Sequence, residues 1–206
     1  MPGTESLAPR WKWAFGLALA FAIGLAIALT PRGSPTAPDT AANTAAAGGI
    51  GGPFTLTAPD GKPLTLKDVG GKPFAVYFGF TRCPDVCPTT LSRLARLRGN
   101  LGADGSKFAI LFVSVDPGHD QPAAVGEYVK LFGTPIIGLT GSEEQLAPVK
   151  KAYGVYAAKV PQPDGDYTVD HSTAVLLMDG AGRFADLISH DEPDPSALAK
   201  LKALVG

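Results

Sequence analysis

The chain has 206 residues with 18 basic and 19 acidic side chains, a net charge of −1 that argues against wrapping a nucleic-acid backbone, so we expect no nucleic-acid partner. Its 25 glycines and 19 prolines indicate linkers and turn-rich loops and are untypical of a helical bundle. Two cysteines and two methionines exclude a multi-disulfide scaffold and a methionine-rich copper pool.

An uncharged apolar run, Trp13–Leu29, predicts a membrane helix. At 1.5 Å per residue it reaches the lower limit for crossing a hydrocarbon core about 30 Å thick. Because Arg10 and Lys12 precede the run, the positive-inside rule favours export of the rest of the chain. We therefore predict a short cytoplasmic N-terminus over 1–12 and a transmembrane anchor over 13–30. A cleaved signal peptide is the alternative, although its apolar core is usually only about 7–15 residues long.

Residues 31–52 consist almost wholly of Pro, Gly, Ala, Ser and Thr. Such a segment has too little apolar surface to offset the entropy of ordering, so we predict a flexible tether. Its glycine-rich end, 48–52, follows no strand and is therefore not interpreted as a phosphate-binding loop. The folded domain is predicted to span 53–206.

In the domain, strand and helix patterns alternate, and turn residues predict two hairpins. Continuous apolar runs predict buried strands, and leucines at helical spacing or a capping box predict helices. In chain order, these are a hairpin of Phe54–Thr57 and Leu64–Thr65, strand Phe74–Phe80, helix Pro88–Arg98, strand Phe108–Val115, helix Ser142–Tyr153, a hairpin of Val175–Met178 and Phe184–Ile188, and helix Ser196–Val205. The pattern predicts a three-layer α/β domain with a mixed central sheet.

Cys83 and Cys87 lie where a predicted strand gives way to a predicted helix. Pro88 suits the first helical position, which would place Cys87 at the helix N-terminus. The helix dipole and the free N–H groups there favour thiolates, and Arg82 adds positive charge. We therefore expect both sulfurs to face one exposed spot and to have a lowered pKa.

The three-residue spacer between the cysteines favours metal binding over thioredoxin-type redox chemistry, in which two residues separate the cysteines. A longer spacer suits two thiolates that chelate one soft ion, and soft ligands select Cu(I), zinc or iron–sulfur clusters. A Cys₄ cluster is excluded by the cysteine count, and structural zinc normally has four protein ligands. Two cysteines and one histidine would satisfy three-coordinate copper. A merely structural disulfide is the alternative.

Three histidines could complete such a site. His171 precedes a predicted core strand, so its loop can reach the sheet edge near the cysteines. His119 lies in a turn-rich loop after a buried strand, and His190 lies in a polar loop that we expect to be solvated. His171 is therefore the favoured candidate, and the other two remain open.

The segment Phe78–Thr89, with the sequence FGFTRCPDVCPT, resembles the signature of the Sco/SenC family of copper-binding proteins needed to assemble cytochrome c oxidase. The resemblance covers roughly residues 53–204. It also includes Val115–Pro117 with Asp120, Gly138–Gly141, the stretch around Tyr153–Tyr156, and Val169–His171 followed by a strand and an Asp-Gly turn.

The resemblance implies a thioredoxin-like fold with an N-terminal membrane anchor. It implies copper ligands at Cys83, Cys87 and His171, with the ion held as Cu(I) or Cu(II). The implied function is delivery of copper to the binuclear copper A centre of oxidase subunit II, reduction of that subunit's cysteines, or both. We therefore interpret the chain as a metallochaperone that performs no covalent chemistry on a substrate.

The chain departs from the family pattern in the loop after the second buried strand. His119 and Gln121 stand where we expect an acidic or basic residue and a threonine. This departure raises the hypothesis that His119 is a transient extra ligand during copper transfer.

The main rival interpretation is a thiol–disulfide oxidoreductase in which Cys83 and Cys87 cycle between dithiol and disulfide. The three-residue spacer and His171, at a position where thioredoxins usually place a cis-proline, argue against it. A peroxiredoxin-type peroxidase fits poorly with a second cysteine only four residues on. A structural interaction domain would explain neither the cysteine pair nor the histidine.

The predicted location is a bacterial inner membrane, with the C-terminal domain in the periplasm. The short N-terminus lacks an Arg- and Ser-rich amphipathic presequence, which argues against mitochondrial import. An upstream periplasmic copper donor is an expected partner, along with oxidase subunit II as the acceptor.

Overall fold

The structure is a computed structural model that describes residues 49–206. The predicted N-terminal segment 1–12, the anchor 13–30 and the tether as far as residue 48 lie outside the described residues. Among the helices within 49–206, none has both the length and the apolar character needed to cross a bilayer.

A mixed five-stranded sheet forms the centre of the domain. The strands are β1 Thr55–Thr57, β2 Pro63–Thr65, β3 Phe74–Gly79, β4 Ala109–Ser114, β5 Ile137–Leu139, β6 Ala157–Pro161, β7 Tyr167–His171, β8 Val175–Met178 and β9 Phe184–Ile188. The helices are α1 Val86–Asn100, α2 Pro122–Lys130, α3 Glu143–Ala152 and α4 Asp194–Val205, with short 3₁₀ helices at Leu66–Val69 and Gly102–Ser106.

The central sheet has the strand order β5-β4-β3-β8-β9. Strands β3, β4 and β5 are parallel, β8 runs antiparallel to β3, and β9 runs antiparallel to β8. Strands β1 and β2, and β6 and β7, form two separate antiparallel pairs. The mixed α/β architecture with a mixed central sheet is thus confirmed.

The two strands with continuous apolar sequences lie side by side at the centre of the sheet. Every residue of β3 is buried, as is β4 from Ile110 to Ser114, and parallel strands buried on both faces require such sequences. Helix α1 buries Leu91, Leu94 and Leu97 and packs against α4, which also contacts β8 and β9. Each such fully buried side chain contributes about 1.5–3 kcal/mol to stability.

Residues 50–52, which directly precede the predicted start of the folded domain, hydrogen-bond to it. The N–H of Gly51 donates to the Ala152 carbonyl at 2.8 Å, and the N–H of Gly52 donates to the Gly182 carbonyl at 2.9 Å. A Cβ on Gly51 would collide with the Gly182 carbonyl oxygen, and its φ of +106° also favours glycine. The glycines at this position therefore permit close backbone contact.

Candidate metal centre

The loop between β3 and α1 positions the two cysteines. Cys83 lies in the loop, and Cys87 is the second residue of α1, which begins at Val86 and not at the predicted Pro88. Pro88 therefore occupies the third helical position. The helix tolerates proline there because the N–H groups of the first turn have no intrahelical hydrogen-bond partner. The missing N–H of proline therefore removes no hydrogen bond.

The two sulfurs are close together but differ in exposure. Both cysteines are free, and the backbone N–H of Cys87 donates to the Cys83 sulfur at 3.3 Å. Cys83 is half-buried, whereas Cys87 has 0% of its surface exposed. The expectation that both sulfurs face one exposed spot is therefore wrong for Cys87.

The expected lowering of the cysteine pKa is also wrong for Cys87. Burial raises the pKa of this thiol to about 12, although the backbone N–H of Phe80 acts in the opposite direction. At a fully buried position, the free-energy cost of removing a thiolate from water exceeds the stabilisation that the helix terminus gives to its charge.

His171 reaches the cysteines from the far end of the β6–β7 hairpin. It is the last residue of β7, not part of the predicted loop, and it pairs with Ala157 of β6. Its Nε2 lies 3.5 Å from the Cys87 sulfur, and its Nδ1 lies 2.8 Å from the Ser172 carbonyl oxygen. A proton on Nδ1 would donate to that oxygen and leave the Nε2 lone pair directed at the cysteines.

The structure thus brings together Cys83, Cys87 and His171, whose ligand atoms all lie within 4.8 Å of one another. The rings of Phe80 and Tyr77 flank the imidazole edge-on, with centroid distances of 5.6 and 6.0 Å. Two soft sulfurs and one imidazole form a ligand set suited to copper, so this group is able to bind it.

The other two histidines lie outside this group. Nδ1 of His119 lies 2.9 Å from a carboxylate oxygen of Asp116 and 2.8 Å from the guanidinium of Arg82. Its Nε2 lies 3.3 Å from a carboxylate oxygen of Asp166. Both ring nitrogens of His119 therefore already have partners, while His190 is exposed as predicted.

His119 belongs to a polar cluster, which we call the Arg82 network and define as Arg82, Asp116, His119, Asp166 and Tyr167. Arg82 pairs with Asp166 at 2.7 Å and donates to the Tyr167 carbonyl at 3.1 Å, and the Tyr167 hydroxyl donates to Asp116 at 2.6 Å. The network joins the cysteine loop and the β4–α2 loop to the start of β7. It therefore links the segment before Cys83 to the strand that ends at His171.

The charges of the Arg82 network are reflected in its pKa values. The hydrogen bond from Arg82 lowers the pKa of Asp166 to about 2. Burial, together with the hydrogen bond to Asp116, raises the pKa of Tyr167 to about 12, which keeps its hydroxyl as a donor. The sequence reasoning missed Asp166 and Tyr167, because their contacts with the cysteine loop arise only in the folded chain.

Asp120 holds the other side of the cysteine loop. Its carboxylate accepts hydrogen bonds from the Thr81 N–H at 2.8 Å, from the Thr81 hydroxyl and from the Ser114 hydroxyl. Asp120 is buried, and these three donors compensate for the loss of water around its charge. The β4–α2 loop, through Asp120 and its contact with Ser114 at the end of β4, therefore fixes the backbone immediately before Arg82 and Cys83.

The chain is similar to known proteins in sequence and in fold. The SCO1/SenC family model matches residues 42–206. The protein SCO1 homolog 1, mitochondrial, of Arabidopsis thaliana is 47% identical over 133 residues, which are 63% of this chain and 39% of that protein. The structure of Bradyrhizobium japonicum ScoI with copper bound is 43% identical, with a TM-score of 0.68, and the match covers 75% of this chain and 99% of that chain.

A more distant solved structure is that of BsSco, described as a member of the Sco family of cytochrome c oxidase assembly proteins in which a disulfide switch was identified. It is 25% identical with a TM-score of 0.59, and the match covers 74% of this chain and 91% of that chain. The chain thus spans well under half the length of the Arabidopsis relative but nearly all of both solved domains. Its mixed sheet is consistent with the thioredoxin-like fold of Sco proteins, and the chain belongs to the SCO1/SenC family.

Proposed function

We propose that this chain is a copper metallochaperone that delivers copper to the binuclear copper A centre of cytochrome c oxidase subunit II. The observation that carries the proposal is the convergence of Cys83, Cys87 and His171, with all three ligand atoms within 4.8 Å of one another. Membership of the family and the copper-bound ScoI relative support copper as the cargo. The described relation of BsSco to oxidase assembly supports the acceptor.

The ligand set suits an ion that must be held and then released. Two thiolates and an imidazole satisfy copper with three protein ligands, and ligands from an acceptor can replace them one at a time. Cys83 is the more accessible sulfur, so we expect exchange to begin there, while the buried Cys87 retains the ion longest. No covalent bond to a substrate is made or broken.

The location is part of the proposal. The apolar run over 13–30 would anchor the chain in a bacterial inner membrane, with the domain in the periplasm, where a separate donor would supply the copper. A flexible tether from 31 to 49 would have a root-mean-square span of about 25 Å. That span would let the domain approach a membrane-bound acceptor.

A thiol–disulfide reductase that acts on the cysteines of the same acceptor is the second candidate function. It is favoured by the proximity of an accessible and a buried cysteine, joined by the Cys87 N–H to Cys83 sulfur hydrogen bond, and by the disulfide switch described for BsSco. In that role the dithiol would become a disulfide as the acceptor's disulfide becomes a dithiol.

A copper titration of the reduced full chain in detergent tests the proposal. We expect one copper per chain in the wild type and in the control His190→Ala, and no stable binding in Cys83→Ser, Cys87→Ser or His171→Ala. Mixing the loaded chain with a copper-free soluble domain of subunit II should then move the copper to the acceptor.

Two outcomes would contradict parts of this proposal. Full copper retention in His171→Ala would remove His171 from the ligand set. Negligible binding by the wild type, together with rapid reduction of the acceptor's disulfide by the Cys83–Cys87 dithiol, would favour the reductase.

A further inference from the structure

The Tyr77 hydroxyl lies beside the buried cysteine sulfur. Tyr77 is in β3, ten residues before Cys87, and 0% of its surface is exposed. Its hydroxyl oxygen lies 3.6 Å from the Cys87 sulfur, within hydrogen-bonding range for a large sulfur acceptor. The same ring lies edge-on to His171, so Tyr77 contacts two of the three proposed ligands.

The hydroxyl can only act as a donor to a thiolate, because a thiolate has no proton to give. Burial raises the pKa of Tyr77 above its ordinary value, so the phenol remains protonated. Nothing in the copper-binding scheme so far uses this group.

We propose that Tyr77 is a positioning residue for bound copper: its O–H donates a hydrogen bond to the Cys87 sulfur and so limits the electron density that this sulfur gives to the ion. The inference rests on the proposed copper site. Hydrogen bonds to a ligating sulfur tune the redox potential of copper and iron–sulfur centres, and groups that orient a ligand change metal affinity about 10–100-fold when removed.

The effect has a definite direction. Cu(II) demands more electron density from sulfur than Cu(I) does, so a hydrogen bond to the thiolate disfavours Cu(II). Tyr77→Phe removes the O–H and leaves the ring in place. The sulfur then becomes a stronger donor, and the ratio of the Cu(II) to the Cu(I) dissociation constant should fall by about tenfold. For a one-electron couple, this is a decrease of about 59 mV in the copper reduction potential.

The matched control is Tyr128→Phe. The hydroxyl of Tyr128 is buried and has no hydrogen-bond partner among residues 49–206. Both tyrosine rings pack against Phe112, with centroid distances of 6.4 Å for Tyr77 and 5.3 Å for Tyr128. Each substitution therefore removes one hydroxyl oxygen from a tyrosine that packs against Phe112. Only Tyr77→Phe also removes a hydrogen bond to sulfur.

The experiment compares the wild-type full chain with both variants after loading with Cu(II) or Cu(I). In Tyr77→Phe we expect the sulfur-to-Cu(II) charge-transfer absorption to move to longer wavelength and the ratio of dissociation constants, from chelator competition, to fall by about tenfold. Tyr128→Phe should match the wild type in both measurements. Equal spectra and equal ratios in the wild type and Tyr77→Phe would overturn the inference, while copper binding by the wild type would leave the proposed function intact.

A second measurement needs no copper. In a glutathione buffer the reaction is dithiol plus oxidised glutathione giving the Cys83–Cys87 disulfide plus two reduced glutathione molecules. Since the Tyr77 hydrogen bond stabilises the reduced sulfur, its loss should raise the equilibrium constant for oxidation by about fivefold in Tyr77→Phe but not in Tyr128→Phe. An unchanged constant would contradict the hydrogen bond to the Cys87 sulfur in the copper-free chain.

Discussion

The buried sulfur of Cys87 occupies a space that its neighbours define closely. A Cβ built on Gly79 would lie 2.7 Å from this sulfur, 3.1 Å from Phe112 Cε2 and 3.2 Å from Tyr77 Cε1. All of these neighbours are buried, so none can move away without disturbing the core. Gly79 is therefore required by the close approach of the sulfur to the end of β3.

We predict that Gly79→Ala lowers the free energy of unfolding by about 1–3 kcal/mol, because the added methyl group overpacks the core. It should also weaken copper binding, because the Cys87 sulfur must shift. Chemical denaturation and chelator competition would measure the two effects. The control is Gly99→Ala, since a Cβ on Gly99 in α1 meets nothing within 4 Å. That change should raise stability by about 0.5–1 kcal/mol, and equal effects of the two substitutions would contradict the packing argument.

At the scale of elements, the site depends on how the β6–β7 hairpin is attached to the cysteine loop. The hairpin pairs only with itself among the described strands, so its position relies on contacts such as those of the Arg82 network. Asp116 is fully buried and accepts from Tyr167, the first residue of β7. A single exposed ion pair contributes little to stability. The Arg82–Asp166 ion pair, however, is part of a network that includes the buried carboxylate of Asp116.

We predict that Asp166 titrates with a pKa of about 2 in the wild type and closer to its ordinary value in Arg82→Gln. Because the pKa is lowered in the folded chain, the contribution of Asp166 to folding stability is fully present above the pKa of an unfolded Asp, about 3.9. This contribution is lost as the pH falls towards 2. Carboxyl NMR titration would measure the pKa, and amide exchange of β6 and β7 should accelerate in Arg82→Gln at neutral pH. An unchanged Asp166 pKa in that variant would contradict the pairing.

The difference between buried strands and the half-exposed β6–β7 hairpin explains which elements could be predicted from the sequence. Strands β3 and β4 have continuous apolar sequences, and the predicted Ser142–Gln145 capping box is present at the start of α3. The β6–β7 pair is half exposed and carries polar residues, so no periodic pattern identifies it. Its attachment uses contacts such as Tyr167 to Asp116, 51 residues apart in sequence, which only the fold brings together.

For the candidate site, the chemistry was easier to predict than the environment. The types and spacing of the cysteines indicated a soft metal, and the family resemblance indicated His171. The depth of Cys87 was not predictable, because helix α1 begins at Val86 and turns this sulfur into the core. Burial then raises the pKa that the helix terminus alone would lower.

At the scale of the whole molecule, the proposed ligands come from two distant parts of the chain. Cys83 and Cys87 flank the start of α1, and His171 lies 84 residues beyond Cys87, at the end of β7. Such a site exists only in the folded chain, so an ion bound by all three residues joins segments that separate on unfolding. Copper should therefore stabilise the whole domain.

We predict that Cu(I), at a free concentration about 100 times its dissociation constant, raises the free energy of unfolding of the wild-type domain by about 2.7 kcal/mol. For a domain of this size, this corresponds to an increase of about 5–10 °C in Tm, measured by calorimetry under reducing conditions. His190→Ala should show the same increase because His190 is exposed and outside the site. His171→Ala should show little increase, because without the imidazole we expect no stable copper binding to the folded domain. An equal increase in His171→Ala would mean that copper is bound without linking β7 to the cysteine loop.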